Sequence, residues 1–83
     1  MSYYVYVLKS EKVEGKHYVG MTSNIERRLK EHNAGRSKFT SGFIPWKIVY
    51  SEFLATRSEA REREKYLKSA AGRRFIKQYL LRI

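Results

Sequence analysis

The chain has 83 residues, with 18 Lys and Arg against 8 Asp and Glu, for a formal charge of +10. It has no cysteine, which excludes disulfides and thiolate metal sites. That length holds one modest core, so a single domain is expected over residues 1–83. No charged-then-apolar leader and no stretch long enough to span a bilayer is read, and a cytoplasmic protein is expected. The charge imbalance creates a field that draws polyanions, nucleic acid first among them.

Residues 3–9, YYVYVLK, alternate tyrosines with β-branched and aliphatic residues and predict a strand. Alternation puts Tyr4, Tyr6 and Leu8 on one face and Tyr3, Val5 and Val7 on the other. The polar stretch 10–16, with Gly15 near its end, predicts a hairpin connection to a second strand over 17–21, HYVGM. Gly20 inside that strand implies a bulge or a close approach of another group.

Ser23 followed by Glu26 has capping-box spacing and predicts a helix over 24–33, stopped at Asn33-Ala34-Gly35. A loop over 36–45 leads to a third strand over 46–53. Thr56 or Ser58 starts a second helix that ends at Gly72. A last amphipathic helix over 73–83 carries Phe75, Ile76, Tyr79 and Leu80 at helical spacing. The order ββαβαα predicts an α+β fold, a small three-stranded, mainly antiparallel sheet flanked by helices.

Helical phase, about 100° per residue, singles out polar residues on faces that should be buried. On the first helix Arg28 and His32 share the side of Ile25 and Leu29, while Arg27, Lys30 and Glu31 point to solvent. Arg28 on such a stripe either snorkels at its edge or serves a site. His32 is either a satisfied histidine near a helix C-terminus or a functional one. On the second helix Glu64 falls on the side of Ala60, Leu67 and Ala71. A carboxylate there is costly unless it is ion-paired, for instance to Arg28, or holds a metal.

These residues, in this order, resemble the GIY-YIG nucleases, in the small stand-alone branch of that family. Tyr4-Val5-Tyr6 and Tyr18-Val19-Gly20 match the two motif elements that name the family. NIERRLKEH is similar to its arginine helix, with Arg28 at the arginine position, and SEAREREKYLK to its glutamate helix, with Glu64 at the metal-binding position. Tyr4 stands where the motif has its first glycine, and Met21 where some members carry a lysine.

The resemblance implies hydrolysis of DNA phosphodiester bonds with one divalent metal, Mg2+ or Mn2+, held by Glu64. It implies that Tyr6 and Tyr18 share base and positioning roles, in an order the sequence leaves open. Arg28 would fork onto a phosphate oxygen and His32 would shuttle protons. Gly20 would admit the substrate phosphate, and Arg27 and Lys38 would hold DNA. An unperturbed phenol titrates near pH 10, so a neighbouring cation or a metal-bound hydroxide is expected to lower the working tyrosine. DNA is the expected partner, with a homodimer or a larger repair complex as further assemblies. Two other readings fit the composition: a nucleic-acid-binding module with little or no activity, stacking tyrosines and Phe39 on bases, or a structural subunit lending its basic surface to a complex.

Overall fold

The computed structural model describes residues 2–82. Strand β1 (Tyr3–Ser10) lies at the centre of one antiparallel sheet, between β2 (His17–Thr22) and β3 (Trp46–Leu54). The hairpin turns at Gly15, whose φ of 81° favours glycine, and the Ser10 Oγ accepts from the Lys12 and Val13 amides to hold the loop.

Both faces of β1 are covered, so Val5, Tyr6, Val7 and Leu8 are all buried. On one face Tyr6, Leu8 and Trp46 pack with Ile25 and Leu29 of α1 (Ile25–Asn33) and with Phe43 and Ile44 of the following loop. On the other, Val5, Val7 and Val19 pack with Ala60 and Leu67 of α2 (Arg57–Lys68), and with Ile76 and Leu80 beyond α3 (Ala70–Phe75). The result is the expected α+β fold in the order ββαβαα. The register of β3 slips between Val7↔Tyr50 and Leu8↔Ile48, leaving Val49 as a bulged residue. The bulge lets Val49 and Tyr50 both serve the α2 side while Ile48 serves the α1 side.

Helix boundaries differ from expectation in two places. The α1 cap is Asn24, in extended backbone, whose Oδ1 accepts from the Arg27 amide at 3.1 Å. Ser23 is therefore one residue too early, and Glu26 sits in the first turn, where it complements the helix dipole, rather than closing a capping box. On α2 the N-cap is Thr56, whose Oγ1 accepts from the Glu59 amide at 3.2 Å and donates to the Glu59 carboxylate at 3.1 Å.

The second helix stops at Lys68, not Gly72. Ser69 adopts extended backbone, and its Oγ accepts from the Gly72 amide, starting α3 at an angle. Gly72 is a close-approach residue: a Cβ there would lie 2.5 Å from the Leu67 Cα and against the Tyr66 carbonyl. Ala71, past the break, is exposed rather than on the core stripe. The expected last helix is α3 followed by a wide turn over Ile76–Leu80, closed by the Leu81 amide on the Ile76 carbonyl at 2.9 Å. Such an i→i+5 turn advances less than 100° per residue, so Tyr79 leaves the buried stripe and is 60% exposed. Ile83, the last residue of that expected helix, lies outside the described residues. Among the described residues no helix is long and apolar enough to cross a membrane.

Candidate active site

Tyr6 is the hub. Pairing sets Tyr6 opposite Gly20 and Leu8 opposite Tyr18, so both tyrosines rise from the α1 face, with ring centroids 6.3 Å apart. Gly20 makes that possible. A Cβ at this position would stand 2.6 Å from the Tyr6 Oη and 2.9 Å from the Tyr18 Cε2. The glycine expected to admit a phosphate thus admits the Tyr6 phenol.

His32, fully buried at the last turn of α1, bonds Tyr6 Oη through Nε2 at 3.0 Å and Thr40 Oγ1 through Nδ1 at 2.8 Å. Thr40 is fully buried in the 36–45 loop, and its carbonyl accepts from the Trp46 indole at 2.9 Å. Asn33 fixes the same region by bonding both the amide and the carbonyl of Trp46, at 2.6 and 3.1 Å. The Ser37 carbonyl, 3.5 Å from Thr40 Oγ1, gives that hydroxyl a proton acceptor of its own. That direction, and the Arg28 guanidinium donating to the Tyr6 Oη, favour the tautomer in which Nδ1–H donates to Thr40 and Nε2 accepts the Tyr6 proton. Burial, and then the Arg28 charge, push His32 below its ordinary value, which keeps it neutral at pH 7. Nothing in the sequence marks Thr40 except its place beside Phe39 in a loop.

Arg28 bonds Glu31 at 2.9 Å and lies close enough to the Tyr6 hydroxyl to favour its anion. Glu31, expected to point to solvent, is instead the anchor that orients this guanidinium, because residues three apart share a helix face. Burial nevertheless dominates at Tyr6. Together with the nearby Tyr18 it pushes the phenol up to about 12, against the lowering by Arg28. The neighbouring cation acts in the expected direction, and among the protein's own groups burial outweighs it.

Glu64 arrives from the other side of the sheet. Helix α2 packs on the Val5 and Val7 face, yet Glu64 lies near enough to Tyr6 to raise it further. The Glu64 side chain is 18% exposed and pairs with Lys68, not Arg28, at 3.3 Å. Among the described residues no three His, Cys, Asp or Glu side chains gather as a metal cage. A single hard carboxylate suits Mg2+, which keeps several waters and shares substrate phosphate oxygens. Arg27 is 69% exposed, 4.0 Å from Glu31, and Lys38 is exposed two residues before Thr40. Neither touches the Tyr6 cluster in this state.

A tyrosine pair backed by a buried histidine, with an arginine and a carboxylate converging from opposite faces of a three-stranded sheet, is an arrangement suited to phosphoryl chemistry. The profile of the GIY-YIG catalytic domain matches residues 2–79, and the chain belongs to this nuclease family. It is 46% identical over 66 residues to a UPF0213 protein of Clostridium perfringens, covering 78% of this chain and 69% of that one. A UPF0213 protein of Haloquadratum walsbyi is 43% identical over 68 residues, covering 81% of this chain and 74% of that one. The solution NMR structure of a UPF0213 protein from Bacillus halodurans superposes with a TM-score of 0.56 at 28% identity, over 96% of this chain and 87% of that one.

Proposed function

We propose that this protein is a divalent-metal-dependent DNA endonuclease that acts on flexible, branched or damaged DNA in repair or recombination. The observation that carries the reading is the proton path from the Tyr6 hydroxyl to a neutral, buried His32, with Arg28 and Glu64 flanking its outer end. A phenol at about 12 is a poor base alone. It becomes an effective relay when its own proton has somewhere to go. Tyr6 takes a proton from the attacking water as it passes its own to His32 Nε2, and Thr40 holds the ring in the receptive tautomer.

Arg28 lies within hydrogen-bonding reach of the Tyr6 hydroxyl, whose ring is buried in the α1-side core and 2% exposed. A phosphate that draws the guanidinium onto a non-bridging oxygen opens the hydroxyl to the water. Tyr18, half-buried beside the histidine at a ring distance of 4.9 Å, positions the water and phosphate. Glu64 would hold the metal, which supplies charge stabilisation for the equatorial and leaving oxygens. Cleavage ends as the phosphorus–oxygen bond to the leaving strand breaks and solvent protonates the departing oxygen.

The test is cleavage of plasmid and branched DNA with Mg2+ or Mn2+ by wild type, Glu64→Ala and Arg28→Ala. Wild type should cut and both variants should lose at least about 100-fold, the scale of one transition-state contact. Wild type cutting no better than Glu64→Ala in either metal overturns the reading. Phe39, 82% exposed beside Lys38, supports a second reading as a base-stacking binding module, which that negative result would favour.

A further inference from the structure

Beyond the tyrosine cluster, a groove of about 250 Å³ runs between the β2 edge and the α2–α3 junction, lined by His17, Tyr18, Val19, Leu67, Lys68 and Arg73. It shares residues with the neighbourhood of the candidate active site: Tyr18 is one member of the tyrosine pair, and Lys68 is the partner of Glu64. We propose that this groove is a second phosphate subsite, which holds the DNA backbone phosphate next to the one being cleaved through Arg73, His17 and Lys68, with Lys77 beside it. The proposal rests on the nuclease reading for the identity of the strand.

Charge and solvation support it. Arg73 and Lys68 line the groove, Lys77 lies close enough to His17 to bear on its titration, and a fourth cation, Lys16, does the same from a position over the Phe43 ring. Among the described residues Arg73 and Lys77 take part in no ion pair, and the only carboxylate bound to any of the four is Glu64. Such a cluster is self-repelling until an anion enters. Val19 and Leu67 form an apolar floor, and low-dielectric walls focus the field of the cations onto whatever sits between them. Burial and these neighbours hold His17 below the usual histidine range, so a bound phosphate would raise it.

Helix α2 extends the same logic. At 100° per residue Arg57, Arg61, Glu64 and Lys68 fall within about 60° of one another, one rail along the helix. The rail carries a single carboxylate between cations, and it points into the groove at its Lys68 end. Such a rail suits a strand whose scissile phosphate sits at Glu64 and whose next phosphate sits beyond Lys68.

The experiment measures binding of a short DNA oligonucleotide by fluorescence anisotropy without divalent metal, across a salt series. It compares wild type, Arg73→Gln, the double variant Arg73→Gln with Lys77→Gln, and Lys12→Gln in the hairpin loop as a control. All substituted positions are exposed, and thermal melts confirm that each variant folds. Arg73→Gln should weaken binding about 3- to 10-fold near 0.1 M salt and lower the slope of log K against log salt by about 0.7–0.9. The double variant should roughly double that loss of slope, and Lys12→Gln should leave it unchanged. In parallel, the His17 imidazole signals should shift on titration with a phosphorylated dinucleotide and lose that response in Arg73→Gln. A wild-type slope retained by Arg73→Gln overturns the subsite and leaves the nuclease reading to the cleavage assay. A wild type with no salt-dependent affinity for DNA overturns both.

Discussion

Tyr6, His32 and Thr40 can be separated by substitutions that each remove one link. Tyr6→Phe keeps the ring under Gly20 but deletes the relay oxygen. Turnover should fall about 100- to 10,000-fold, the range of general acid–base catalysis. The fold should lose about 1–3 kcal/mol in chemical denaturation, because His32 Nε2 is left buried without a donor. Thr40→Val is isosteric and touches no substrate. Its effect should appear in kcat with KM little changed, because it frees the imidazole to take the wrong tautomer, and Thr40→Ser should restore much of the rate. A Thr40→Val enzyme with wild-type kcat would sink the positioning role. Gly20→Ala drives a methyl into both tyrosine rings, and a loss of about 1–3 kcal/mol with loss of cutting is expected.

Among the elements, the break between α2 and α3 decides where Glu64 and the groove lie relative to each other. Ser69 makes the break by accepting from the Gly72 amide at 3.2 Å. Ser69→Ala should cost about 1 kcal/mol by the usual value of an N-cap, measured by urea unfolding. An unchanged midpoint would show that the junction is held by packing alone. The same junction shows what the sequence could and could not reveal. Strand alternation assigned Tyr6 and Val5 to opposite faces correctly, and helical phase marked Arg28, His32 and Glu64 as polar residues drawn inward, as their buried or half-buried side chains are, because both depend on local period. The end of α2 was misplaced because Gly72 reads as a stop, whereas its role is set by the backbone of Leu67 packed against it. Thr40 and Glu31 escaped for a related reason. Their importance lies in partners, His32 and Arg28, that only the folded chain brings into position. Gly20 was recognised as a close approach, but the group that approaches is the chain's own tyrosine.

For the whole molecule, the two depressed histidines set a pH dependence of stability. A histidine whose folded value lies below its unfolded value of about 6.5 favours the neutral form in the native state. Its contribution is present above that value and is lost as pH falls from there toward the lower folded value, where the unfolded chain binds more protons. Stability should therefore drop on acidification below about pH 6.5. His32→Gln should blunt that slope when urea midpoints at pH 7.5 and 5.5 are compared. Equal slopes in wild type and variant would show that His32 contributes nothing to it. Cleavage should fall over the same interval, since an imidazolium has no lone pair for the Tyr6 proton.

Glu64 rides on the helix that packs one face of the sheet and the tyrosine cluster lies on the other, yet the carboxylate is near enough to bear on the Tyr6 phenol. Neither layer alone contains both halves of the chemistry. A chain with α1 docked but α2 loose would keep its proton relay and lack its carboxylate, and the converse state would lack the relay. On the nuclease reading proposed above, competence to cut would require both layers to be folded. A nascent or partly melted copy of a strongly basic protein can cling to DNA, but it carries no assembled blade.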